Sequence, residues 1–143
     1  MKQSGQNSVN AQSIIREAGL RATAARIRVL NVLLLAEHAL THNEIEKAVS
    51  INDGSIERVT LYRVLDWLVN QKLAHKITCV DRVWRFNAQP HSTPHHAHFT
   101  CIRCGQVFCL ENLNPMITDT LPHGFRLTQV DVSLLGTCPR CSR

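Results

Sequence analysis

Val59-Thr60-Leu61-Tyr62-Arg63-Val64-Leu65-Asp66-Trp67-Leu68 is the stretch on which the fold turns. Leu61, Val64, Leu65 and Leu68 stand at i, i+3, i+4 and i+7, the spacing that lays one apolar stripe along a helix. Thr60, Tyr62, Arg63, Asp66 and Asn70 then fall on the other faces. The stripe buries, and the polar remainder is free to read something. Upstream, Thr41-His42-Asn43-Glu44 has the form of a capping box for a helix running to about Ser50. Before that, Thr23 caps a helix with Ile27, Leu30, Leu33 and Leu34 at helical spacing. Gly19 ends a shorter one over Val9 to Ala18, since glycine accepts the left-handed conformation. Downstream, Leu73 to Cys79 and Arg82 to Asn87 are β-branched and aromatic around the turn-like Val80-Asp81, the pattern of a hairpin. Three helices followed by a hairpin make a winged helix-turn-helix. A plain helical bundle with a solvated polar face fits the same pattern, because fold alone does not fix function.

The whole chain has 143 residues, 44% of them hydrophobic, which suits one compact domain or two small ones. Its formal net charge of +5 fits contact with a polyanion. No apolar run approaches the ~20 residues of a membrane span. Met1 to Asn10 is polar, with no apolar core for a secretory machinery, so a cytoplasmic protein is expected. Residues 1–86 hold 12 Lys and Arg against 8 Asp and Glu, whereas residues 87–143 hold 4 against 3, so the basic excess belongs to the first half. Cysteine runs the other way, with only Cys79 before residue 90. The two prolines and small polar residues of Asn87 to Pro94 read as a hinge linker. The expected organisation is therefore α+β, with a first domain over 1–86, a linker over 87–94 and a second domain over 95–143. In the second, Ala97 to Ile102, Gln106 to Glu111 and Leu127 to Leu135 read as strands of a small mixed sheet, with a short helix from Asn114-Pro115 to Pro122. A sheet this small exposes edges that dimerisation would cover.

Cysteines in a reducing compartment are read as metal chemistry before disulfides. Cys101-Ile102-Arg103-Cys104 and Cys138-Pro139-Arg140-Cys141 are two CxxC turns, each with a glycine close by. Zn²⁺ takes four tetrahedral sulfur or nitrogen ligands, so two such turns complete one site. A closed four-thiolate site has no open position for substrate, and its role is structural. Pro94-His95-His96-Ala97-His98 is different: on a strand His96 and His98 project from one face and His95 from the other, half of an exchangeable metal site. A metal-storage protein would account for these residues but not for the basic helix face in a separate half. A zinc hydrolase would need an open metal position and a base, for which Glu111 is the nearby candidate, and no nucleophile motif accompanies it.

Gly19-Leu20-Arg21-Ala22-Thr23 through Arg26, Val59 to Leu65, His96 to Gly105 and the terminal Cys138 to Cys141 together resemble the ferric uptake regulator family over roughly residues 14–141. The resemblance implies a homodimeric, metal-activated repressor. Its winged helix binds AT-rich palindromic DNA, and its second domain dimerises, holds structural zinc and contributes to a sensory metal site between the domains. It also implies roles for particular residues: Arg21 in the minor groove, and Thr60, Tyr62 and Arg63 on the reading helix. The iron regulators usually carry an acidic residue where Ala97 stands and a later histidine where Val130 stands. His75 and Cys109 fall where zinc regulators place ligands, and soft nitrogen and sulfur donors suit Zn²⁺. The expectation is a zinc uptake regulator with a structural site on Cys101, Cys104, Cys138 and Cys141. Its regulatory site is expected on His75, His96 and His98, completed by Cys109 or Glu111. The alternative is an iron- or manganese-responsive member.

Overall fold

The computed structural model describes residues 10–79, 81–89, 97–110, 113, 120–128 and 130–143. The chain divides into two compact units, Met1–Ala36 with Leu40–Pro90, and Glu37–Ala39 with His91–Arg143.

The first unit opens with α1 (Ala11–Glu17) and α2 (Ala24–Leu35), whose cap Thr23 accepts the Arg26 N–H. Next come β1 (Leu40–Thr41) and α3 (His42–Asp53). Both halves of the capping box form: Thr41 N–H donates to the Glu44 carboxylate at 2.7 Å, and Glu44 N–H to Thr41 Oγ1 at 3.3 Å. Helix α4 (Arg58–Asn70) buries Leu61, Val64, Leu65 and Leu68, the stripe read from the sequence. These pack with Ile15 of α1, Val29, Leu30 and Leu33 of α2, and Ile45 and Val49 of α3 into one core. At roughly 1.5–3 kcal/mol per buried large aliphatic side chain, this cluster supplies the main driving force of the unit. Strands β2 (Ala74–Thr78) and β3 (Trp84–Ala88) pair antiparallel as the expected hairpin.

Two details depart from the sequence reading. β1 adds a third strand to the wing through Leu40↔Phe86 and Thr41↔Arg85, giving the order β1-β3-β2. A two-residue strand has too little alternation to register as a pattern. β3 also runs on to Ala88, and Gln89 N–H donates to the Leu73 carbonyl at 2.8 Å, so ladder occupies the start of the expected 87–94 linker. Cross-strand bonding to Leu73 holds these polar residues in the sheet.

The second unit is a sheet of β4 (Ala97–Cys101), β5 (Val107–Leu110) and β6 (Val132–Gly136) in the order β5-β4-β6. β5 is antiparallel and β6 parallel to the central β4, the mixed sheet that was expected. β6 begins at Val132 rather than at Leu127. Among the described residues, Ala97 to Cys101 of β4 pair with Val132 to Gly136. Leu127 is accordingly 55% exposed. The helix expected from Asn114-Pro115 falls on residues 114–119, outside the described residues. Glu37–Ala39 joins this unit where Ala39 N–H donates to the Val107 carbonyl at 2.7 Å.

Candidate metal centre and nucleic-acid interface

β4 ends at Cys101, and a turn closed by the Gly105 N–H on the Cys101 carbonyl at 2.9 Å returns the chain through Cys104 into β5. Gly105 has φ +72°, a left-handed value that a side chain would strain. Parallel pairing sets Gly136 beside Cys101, and a Cβ on Gly136 would meet the Phe99 ring at 2.8 Å. The chain then reaches Cys138, whose turn to Cys141 is closed by Cys141 N–H on the Cys138 carbonyl at 3.0 Å. Arg103 Nη1 holds the Cys141 carbonyl at 2.7 Å, tying one turn to the other.

The four sulfurs of Cys101, Cys104, Cys138 and Cys141 lie within 4.8 Å of one another, with Cys104 and Cys138 3.9 Å apart. Ligands at ~2.3 Å around tetrahedral Zn²⁺ stand ~3.8 Å from each other, so the cluster fits that ion. The Cys104 and Cys138 N–H groups draw the Cys101 thiol down to about 6, and Cys138 N–H reaches Cys101 Sγ at 3.3 Å. The neighbouring Cys138 side chain pushes Cys141 up to about 12. One thiolate is favoured and further negative charge is resisted, which is the state of a sulfur cluster that a cation would complete.

On the same sheet His98 of β4 stands directly opposite Cys109 of β5, both half-buried. Opposed residues of an antiparallel pair have Cβ atoms about 5 Å apart, so an imidazole and a thiol share this face. His75 lies on β2 of the first unit, half-buried and opposite Asn87. His96 and Glu111 lie outside the described residues.

On the first unit Tyr62 and Arg63 are exposed on α4 and Thr60 is half-buried, on the side away from the stripe. Arg21 is exposed just before α2, and its carbonyl accepts from Arg26 Nη1 at 2.8 Å. The Arg26 guanidinium in turn stacks on Trp67 of α4 at 3.7 Å, so Arg21 is anchored to the helix that carries Tyr62. In the wing, Arg85 bonds both oxygens of Asp81 at 3.0 and 2.7 Å, and its guanidinium holds that carboxyl down to about 2. The sequence places Arg26 in the family motif and Asp81 in the wing turn and foresees neither contact. The Asp81–Arg85 pair spans a turn and a strand, where i,i+4 spacing predicts no contact, and the Arg26–Trp67 stack joins segments 41 positions apart, so the sequence carried no signal of either.

The chain matches the model of the ferric uptake regulator family over residues 17–135. It belongs to that family. The transcriptional regulator FurA of Mycobacterium tuberculosis is 32% identical to it, over 90% of this chain and 87% of that one. The zinc uptake regulation protein of Escherichia coli is 26% identical, over 92% and 78%. A solved zinc uptake regulator complexed with zinc and DNA superimposes with a TM-score of 0.65 at 22% identity, covering 92% of this chain and 90% of that one. As a member of the family the chain is a metal-responsive transcriptional regulator. Among the described residues no helix is long and apolar enough to cross a membrane.

Proposed function

We propose that the chain is a zinc-responsive repressor that binds palindromic AT-rich operator DNA when loaded with Zn²⁺ and so controls zinc-uptake genes in the cytoplasm. The observation that supports this most is the placement of His98 against Cys109, a nitrogen and a sulfur donor side by side and apart from the four-cysteine cluster. Carboxylate-rich sets suit Fe²⁺ and Mn²⁺, whereas an imidazole–thiolate pair suits Zn²⁺. In this reading Cys101, Cys104, Cys138 and Cys141 hold a permanent structural zinc. His75, His96 and His98, with Cys109 or Glu111, hold the exchangeable one. Because His75 belongs to the first unit and the other ligands to the second, the metal favours conformations in which both units supply donors. The dimer then presents two α4 helices at the spacing of successive major grooves, and apo protein bears the cost of adopting that arrangement itself.

Titration of the dimer, freed of its exchangeable metal by mild chelation that leaves the four-cysteine site loaded, with Zn²⁺, Fe²⁺ and Mn²⁺ tests the reading, with retardation of AT-rich palindromic DNA as the readout. Zinc is expected to restore binding at the lowest free concentration. Restoration by iron or manganese at a lower free concentration would make the chain an iron- or manganese-responsive member instead.

On DNA, Tyr62 packs on a thymine methyl, Arg63 bonds base or phosphate, Thr60 meets the backbone, and Arg21 enters the minor groove, where A-tracts concentrate negative potential. Arg21→Ala is expected to weaken operator binding and to reduce the slope of log affinity against log salt by about one per site, as one phosphate-neutralising charge is lost. An unchanged slope, read by fluorescence anisotropy across a salt series, would remove Arg21 from the interface.

A further inference from the structure

We propose that His42 is a positioning residue for base reading, an aromatic wedge that holds the Tyr62 ring ready for its contact with DNA. His42 is the first residue of α3, directly after the cap Thr41, and is half-buried. Its imidazole meets the Tyr62 ring edge-to-face, with centroids 4.5 Å apart and planes at 84°. On its other side it meets Phe86 in the same way, at 4.8 Å and 74°. Phe86 is 1% exposed and belongs to the core, so the stack runs from an immobile ring through His42 to a ring that is 44% exposed. Edge-to-face pairs at these separations are attractive beyond the area they bury. A tyrosine so held gives up little rotamer freedom on meeting DNA, whereas immobilising a free side chain costs roughly 2- to 10-fold in affinity. This role rests on Tyr62 contacting a base, as assigned above.

The wedge carries a titratable group. Burial first, and Lys76 of β2 second, hold the imidazole below its usual 6.5, with Asp66 of α4 opposing them. Glu44 of its own helix is committed to the cap and Arg85 of β3 to Asp81, and the phenol-bearing ring of Tyr62 lies against the imidazole. The packed stack therefore prefers neutral His42, and protonation weakens it. A cation on this face also attracts phosphate of any sequence. Discrimination between operator and random DNA should therefore fall as pH drops below about 6.5.

The test measures that ratio between pH 7.5 and 5.5, with free Zn²⁺ raised at each pH to keep the dimer fully loaded, in the parent protein, Tyr62→Ala, His42→Ala, the double variant and His42→Phe. His42→Ala is expected to lower the ratio about 5-fold, and the double variant to match Tyr62→Ala alone. His42→Phe, which keeps a ring and cannot charge, is expected to retain the ratio at pH 7.5 and to lose much of the acid decline. A fall in Tyr62→Ala without one in His42→Ala, additive losses in the double variant, or an undiminished acid decline in His42→Phe would each overturn the positioning role while leaving the base contact standing. An unchanged ratio in Tyr62→Ala overturns both.

Discussion

Cys138→Ser protein is expected to lose its tightly held zinc and, with it, the fold of the second unit. Among the described residues the buried set of that unit is Ala39, Ala97, Cys101, Val107 and Cys138, all small side chains. Burying a few of these contributes a few kcal/mol, far less than the roughly 1–2 kcal/mol per residue lost in ordering the backbone of three strands and two turns. A structural zinc contributes an apparent ~10–16 kcal/mol in small domains, so the metal decides the balance. Cys138 is the sharpest place to remove it. Its sulfur is buried, its N–H bonds Cys101 Sγ, and the turn it starts fastens the end of β6. Cys109→Ser is the matched control, since Cys109 lies on β5 opposite His98 and outside the cluster. Metal content after mild chelation, read with circular dichroism and sedimentation, checks the result. A folded Cys138→Ser dimer without bound zinc would falsify the four-cysteine assignment.

His98→Ala is expected to behave in the opposite way, keeping the four-cysteine zinc, the dimer and the fold while losing zinc-dependent operator binding. His98 stands on the central strand of its sheet, between Cys109 on β5 and Ser133 on β6, so its imidazole is placed by register on both sides. Losing even a residue that only orients a ligand costs about 10- to 100-fold in metal affinity, and loss of a ligand costs at least as much. His96→Ala should match it if the two histidines share a face. Isothermal titration with Zn²⁺, paired with gel retardation, decides the matter. Should His98→Ala bind operator at an unaltered zinc midpoint, the sensory site lies elsewhere, with His38, His42, His91 and His95 next to be tested.

Much of this molecule was determined by short-range pattern. The capping box of Thr41 and Glu44 forms with both bonds, because its partners are three residues apart and helix geometry alone brings them together. The same holds for the Leu61–Leu68 stripe and for each CxxC turn, whose sulfurs converge through local backbone bonds. Register and long-range juxtaposition were another matter. The third wing strand depended on which edge of β3 remained to be paired. The opposition of His98 and Cys109, the Arg26 stack on Trp67 and the His42 wedge between Tyr62 and Phe86 each join residues 11 to 44 positions apart. Periodicity tells which face of an element buries. Which residue meets which across two elements is set by how whole surfaces pack, and that was decided only when the strands and helices closed on one another.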